Sequence, residues 1–567
     1  MKKKILAGAG ILLMLLSLAA LLYADRAALK EEVFTFGSQY KGKPVTLEAT
    51  LYEQPGAEHA VLICPGYSCD RQKWLPFAAQ LRQAGVTVMV FDYAGQGASS
   101  GTIGFDNAKN DDIPAEIDDA IAALMERIGL KEDKIILLGH SMGGRAILRL
   151  LSDYNRPGAV TRVSRREIRN VILISPEVNY LHSEQASLFA GTSDDSEEPW
   201  AGYTEADIRG TNVYLFGSTA DDVVSDGCIL QIYAHLGARN VPAAGEYRDT
   251  QENASGSRLT TEITGGVLHS YQMYSPRFAD YALNALSEIT GKAIRLTGWE
   301  LYLVYAGWGM ALLGVALLLA GISGRRVPDE DRLPVLKDAK RFLLRKLLLW
   351  LPGMLMAFVI CSVCVVIPFG SPIMNIPYMC FIAGYGLVML LCYRKGRFAG
   401  TEGKLPRLTL RCAGGKKNTL LAAGVTVAIL AFVWGVLRLS MYRLMPMNTR
   451  WFWLAFAGAL MFAGFYVSGA ESDMLKAAKA GRGVKIVYSL IQYIPLILFV
   501  LFYLVIGSYS GLIGQILNVA LMYILFIPVG DFLRARTGNR MIGALVTAFA
   551  FQAFMITSAA LIALLSN

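Results

Sequence analysis

The chain has 567 residues, 54% of them hydrophobic, which is too long for one compact domain and points to membrane segments. A formal net charge of +9 would invite a nucleic-acid partner, but residues 24–300 hold 37 acidic against 25 basic side chains, a net of about −12, and argue against one. Of the eight cysteines only Cys64, Cys69 and Cys228 fall in that acidic stretch, and an odd number implies no disulfide framework.

Met1-Lys2-Lys3-Lys4 precedes the apolar run Ile5–Tyr23, so residues 1–23 read as a signal anchor or a signal peptide. The lysines keep that end in the cytoplasm and send the downstream segment across the membrane. Ser17-Leu18-Ala19 would suit cleavage, whereas the run continuing to Tyr23 suits an uncleaved anchor. Residues 33–54 alternate as an antiparallel strand pair, split by Lys41-Gly42-Lys43-Pro44. Short apolar runs at Ala60–Cys64, Val86–Phe91, Lys134–Leu138, Val171–Ser175 and Asn212–Phe216 read as buried parallel strands. A core-facing stripe of Ile117, Ile121 and Leu124 marks a helix at 114–128. One last strand near 244–249 and a helix around 278–291 complete an extracytoplasmic domain at 24–298. Its fold class is α/β, a doubly wound, mostly parallel sheet, with a small cap at about 177–210. The cap holds Tyr180, Phe189, Trp200 and Tyr203, aromatics suited to lining an acyl pocket.

Chemistry concentrates in the turns at the ends of these strands. Ser141 stands in Gly139-His140-Ser141-Met142-Gly143, after the run Ile135-Ile136-Leu137 and before a helix at 145–154. A nucleophile on a strained strand-to-helix turn needs small residues two positions either side, because the backbone folds back on itself there. Past the strand at 212–216 come Asp221 and Asp222. A carboxylate there would orient an imidazole, with Asp221 preferred and Asp222 the alternative. His269, in the loop Gly265-Gly266-Val267-Leu268-His269, comes later in the chain, in the order acid then base; His59, His140, His182 and His235 are worse placed. After the first parallel strand, Pro65-Gly66-Tyr67-Ser68 would offer the Tyr67 amide, together with that of Met142, to a developing oxyanion.

With these landmarks in this order, residues 32–292 resemble the α/β-hydrolase superfamily, most closely its serine aminopeptidase-like and dienelactone hydrolase-like branches. Asp92-Tyr93-Ala94-Gly95-Gln96-Gly97 is a further landmark, structural rather than catalytic. The chain departs from many members in having Pro65 before the oxyanion glycine and Ala94 and Gln96 in place of Arg and His. The superfamily hosts esterases, lipases, peptidases and acyltransferases, so the fold does not choose among them.

Residues 299–567 read as an all-α membrane bundle of about eight helices, near 301–322, 347–367, 376–393, 419–437, 451–470, 486–506, 512–529 and 541–565. Loops 323–346, 394–418, 471–485 and 531–540 carry eight, eight, four and three Lys or Arg; of the opposite loops one has Arg438, Arg443 and Arg450 and the others almost no charge. That alternation obeys the positive-inside rule from a cytoplasmic N-terminus. The apolar centres hold no ionisable side chain, only amides such as Gln492, Gln515, Asn518 and Gln552, which disfavours a coupled transporter. Cys361 and Cys364 lie one turn apart without His or carboxylate, as packing residues. The expectation is a membrane-embedded serine hydrolase acting on a small-molecule, lipid or peptide acyl substrate, in contact with membrane lipid and with no metal or organic cofactor. An acyltransferase using the same side chains, or a non-catalytic transport or assembly protein, are the alternatives.

Overall fold

The computed structural model describes residues 2–24, 31–104, 112–155, 163–178, 203–294, 298–323, 333–365 and most of 367–561. Helix α1 (Lys2–Ala24) comes first, then a nine-stranded sheet. Strands β1 (Glu32–Tyr40) and β2 (Lys43–Tyr52) form a hairpin. Its turn needs left-handed backbone at Lys41 (φ 50°) and Gly42 (φ 69°), which the glycine adopts without strain. The hairpin pairs antiparallel with β4 (Thr87–Phe91). From there β4, β3 (Ala60–Cys64), β5 (Ile135–His140), β6 (Asn170–Ile174) and β7 (Asn212–Ser218) run parallel.

The far edge departs from the expected single strand near 244–249. It is a hairpin of β8 (Tyr247–Glu252) and β9 (Arg258–Thr264), and β9 rather than β8 joins the parallel series beside β7. Only Leu259 and Ile263 are apolar in β9, with Thr261 buried between them, so its period-two signal is faint. The extra strand matters, because β9 carries the loop that ends at His269.

Successive residues of the parallel strands feed opposite faces. Val61, Ile63, Val88, Val90, Ile136, Leu138, Ile172 and Ile174 pack under α2 (Leu75–Gln83) and α6 (Pro276–Thr290). Ala60, Leu62, Met89, Leu137, Leu173 and Leu215 pack under α3 (Asp112–Ile128), α4 (Met142–Asn155) and α5 (Asp226–His235). The α2–α6 face is continuous with the apolar interior of the helical region, through Leu301 and Val304.

That region contains α7 (Tyr302–Ile322), α8 (Ala339–Leu348), α9 (Trp350–Val365), α10 (Ile376–Arg394), α11 (Gly415–Ser440), α12 (Arg450–Ala477), α13 (Arg482–Gln492) and two further helices, Leu512–Thr537 and Arg540–Thr557. Among the described residues six helices are long and apolar enough to cross a membrane, α1 included, so the chain is a membrane protein by length and composition. Helix α1 lies along α7 at close range: a Cβ on Gly10 would come within 2.7 Å of the Gly314 carbonyl, and Ser17 donates to the Gly307 carbonyl at 2.7 Å. Small residues permit this backbone approach where lipid offers no hydrophobic drive.

The ionisable residues need one correction. Helix α12 continues past 470 to Ala477, and Lys346 belongs to α8, so residues taken for loop ends lie in packed helices. Lys346 meets Glu471 at 2.5 Å with both side chains about 1% exposed, and the hydroxyls of Tyr393 and Tyr488 donate to Glu471 at 3.0 and 3.2 Å. Counting charges along the chain sees the sign of a residue but not the partner that permits its burial.

Candidate active site

The loops that carry the candidate side chains leave the carboxyl ends of the parallel strands, where ligands bind in open α/β sheets. Strand β5 ends at His140, and Ser141 takes φ 53°, a left-handed conformation that aims its side chain out of the turn. The turn is clamped by the Ser141 amide donating to the Ile174 carbonyl at 3.0 Å, and by the Ser141 carbonyl accepting from the amides of Arg145 and Glu177. Both flanking glycines are sterically required. A Cβ on Gly139 would strike the Gly144 backbone at 2.7 Å, and one on Gly143 would enter the Cys64 carbonyl. Helix α4 begins at Met142, three residues earlier than the sequence suggests, so the Met142 amide is its first N–H and has no partner within the helix. The positive end of the helix dipole therefore falls at the residue that follows Ser141.

The second amide-bearing loop, Pro65 to Ser68, lies against this turn. A Cβ on Gly66 would sit 3.0 Å from His140 Nδ1 and 3.1 Å from Ser141 Cβ, so Tyr67 is bonded to a residue in close contact with the serine. The loop is held by a residue of the turn that the sequence marked as structural. Gln96 accepts from the Cys69 amide at 3.1 Å through Oε1 and donates to the Gly66 carbonyl at 3.4 Å through Nε2. Beneath it Arg71, fully buried, pairs with Asp92 and Glu48 and donates to Thr50 at 2.8 Å. Nothing in local sequence spacing links Gln96 to Gly66; only the packing of two loops does.

His269 opens a short 3-10 turn, His269–Tyr274, after β9. Its Nδ1 lies 2.9 Å from Asp221 Oδ2, and both side chains are buried. Asp221 also accepts from the amides of Val223 and Val224, each at 2.8 Å, and from Gln272 Nε2 at 2.7 Å. Burial alone would push the Asp221 carboxyl upward, but the His269 ring and these amides outweigh it and hold the group below the usual carboxylate range. An ionised carboxylate only accepts, so Nδ1 of His269 is the donor in this contact. Asp222 meets the same residue differently, its Oδ1 accepting the His269 backbone amide at 3.2 Å.

His140 is buried between Trp74 and His269, with ring centroids 5.5 and 4.5 Å away. Burial, reinforced by the neighbouring His269, pushes its pKa down to about 3 and keeps it neutral. Glu177, at the start of the cap, is ion-paired with Arg145 at 2.8 Å; burial still raises its carboxyl. Of the cap aromatics Tyr203 packs against the α4 side of the core, while Tyr180, Phe189 and Trp200 lie outside the described residues. Among the described residues the eight cysteines form no disulfide, and no cluster of metal-ligating side chains occurs.

Residues 55–192 match the family model described as serine aminopeptidase, S33. Similar solved structures include a putative hydrolase from Agrobacterium vitis S4, 18% identical over 46% of this chain and 98% of that one, with a TM-score of 0.33. An esterase from Pyrococcus furiosus is 15% identical over 46% and 94%, TM-score 0.32, and one from Pyrobaculum calidifontis is 14% identical over 50% and 94%, TM-score 0.33. The family match and the sheet order together make the N-terminal half of this chain an α/β-hydrolase domain, joined to an all-helical membrane region.

Proposed function

We propose that the protein is a membrane-embedded serine hydrolase that cleaves an ester through an acyl-enzyme on Ser141. The observation that carries this reading is the 2.9 Å contact of His269 Nδ1 with the buried Asp221, the His269 ring lying 4.5 Å from that of His140, which precedes a serine held at φ 53° on a strand-to-helix turn. Nε2 of His269 takes the Ser141 proton as Oγ bonds to the acyl carbon. The tetrahedral oxyanion is met by the amides of Met142 and Tyr67. As the bond to the leaving oxygen breaks, His269 returns the proton to it and the alcohol departs. Water, deprotonated by His269, then attacks the acyl carbon; the acid leaves and Ser141 regains its proton. Asp221 stays ionised throughout, fixing the tautomer and stabilising the imidazolium.

The N-terminus lies in the cytoplasm with the basic loops, and the hydrolase domain lies outside, with α1 an uncleaved anchor. Support for the anchor comes from its close packing along α7 at Gly10, Ser17 and Gly314.

A fluorophosphonate probe applied to the full-length protein tests the nucleophile. Wild type should be labelled and Ser141→Ala should not, with both proteins equally abundant in the membrane fraction. Equal labelling of the two, or none of either, overturns the proposal.

A further inference from the structure

The site-bearing edge of the hydrolase sheet rests on the ends of the membrane helices. Arg450, buried at the start of α12, donates to the Gly95 carbonyl at 2.9 Å, and the same carbonyl accepts from the Leu561 amide at 2.9 Å. The Leu561 carbonyl in turn accepts from the Ile103 amide at 2.9 Å. On the neighbouring loop, Gln72 accepts from Arg438 of α11 at 2.8 Å, and Arg438 pairs with Glu31 at 2.7 Å. Both hydrolase loops leave β3 or β4, so they belong to the end of the sheet that bears Ser141. One residue beyond Gly95, Gln96 braces the Gly66–Cys69 loop.

The contact between this loop and the His269 turn is apolar and buried. Cys69 Sγ lies 3.8 Å from Met273 Sδ, and Cys69, Trp74, Met273 and Tyr274 share one continuous cluster with Leu301 and Val304. Around that junction the helix ends expose large aromatics: Trp299 at 51%, Tyr302 at 62% and Tyr305 at 43%, with Trp451 at 55% on α12. Positions 299, 302 and 305 recur every third residue and so lie near one face of the chain as it enters α7. Tyr271, two residues past His269, packs against the same apolar cluster as Leu301 and Val304. Exposed Trp and Tyr at the ends of apolar helices settle at the level of lipid headgroups. The site-bearing edge of the sheet, held by Arg438 and Arg450, contacts the ends of those helices.

Resting on the serine-hydrolase reading above, we propose that the substrate is a bilayer-resident acyl ester, a lipid of the leaflet beneath the hydrolase domain. It approaches Ser141 from the side of the exposed Trp299–Tyr302–Tyr305 face, its chain remaining in hydrocarbon.

The test uses full-length protein in vesicles of phosphatidylglycerol and phosphatidylethanolamine, with butyryl and palmitoyl esters of one chromogenic alcohol and a water-soluble fluorophosphonate as probes. The palmitoyl ester should be cleaved with kcat/KM about tenfold or more above the butyryl ester, since each methylene kept out of water adds to binding. Diluting it with inert lipid at constant bulk concentration should lower the rate in proportion to its mole fraction. Preference for the butyryl ester, indifference to mole fraction, or labelling of Ser141 without cleavage of the palmitoyl ester overturns the lipid inference and leaves the hydrolase reading standing. Absence of both labelling and cleavage removes the hydrolase reading itself.

Discussion

At the scale of single residues the site is governed by which protonation states burial permits. Asp221 is kept ionised because a ring N–H, an amide side chain and two backbone amides meet it. His140 is kept neutral because its burial between Trp74 and His269, with the charge of the His269 ring, outweighs the opposing pull of Asp221 and Gln272. These two states set the sign of the pH dependence. A histidine whose pKa falls from 6.5 to about 3 on folding binds its proton only in the unfolded chain across that window, so stability rises with pH between those values. Asp221, also depressed on folding, adds stability above its unfolded pKa that is lost as pH falls further. Thermal unfolding of the detergent-solubilised full-length protein from pH 7 to pH 4 should show a falling midpoint for wild type. His140→Asn should show a shallower fall over the same range, and parallel curves would disprove this role for His140.

At the scale of elements, the strand-to-helix turn around Ser141 was readable because its determinants are local: an apolar run, glycines at fixed offsets and a helix behind. Gly143 shows how little space the turn leaves, since a Cβ there meets the Cys64 carbonyl at the end of β3. Gly143→Ala must therefore push the N-terminus of α4 away from the Pro65–Ser68 loop, separating the Met142 and Tyr67 amides. Overpacking of this kind costs about 1–3 kcal/mol in stability. Loss of one oxyanion donor lowers turnover by about 10²–10³-fold. Steady-state kinetics on a soluble ester should show the loss mainly in kcat; an unchanged kcat would refute the steric account. Strand β9 was not readable, because its apolar content is two residues and its place beside β7 is decided by pairing. Between Asp221 and Asp222 the sequence preferred the first and kept the second open, since both come after β7; the fold shows Asp221 meeting the ring and Asp222 the backbone amide.

For the whole molecule, the two halves are joined by polar contacts at the site-bearing edge and by an apolar cluster along α2, α6 and α7. Within the helical region the Lys346–Glu471 pair, ringed by Tyr393 and Tyr488, ties α8, α10, α12 and α13 together. Removing one member leaves the other charged without its partner. Glu471→Gln should destabilise the protein by about 3–5 kcal/mol. The double change Lys346→Met with Glu471→Leu should recover most of the loss, because apolar side chains of similar size need no partner. Thermal unfolding in detergent distinguishes the cases; a double variant as weak as the single one would contradict a purely structural pair.

Sequence by itself determined the layered α/β-hydrolase half, the apolar helices after it and the turn that presents Ser141. These depend on periodicity, glycine placement and segment length, all of which act over a few residues. Tertiary structure alone decided that Gln96 braces the loop beside Ser141, that Arg450 and Arg438 grip the site-bearing edge, and that Lys346 and Glu471 are buried together. Each of these joins groups far apart along the chain, and the energy that selects them comes from burial and hydrogen bonding that exist only once the chain is folded.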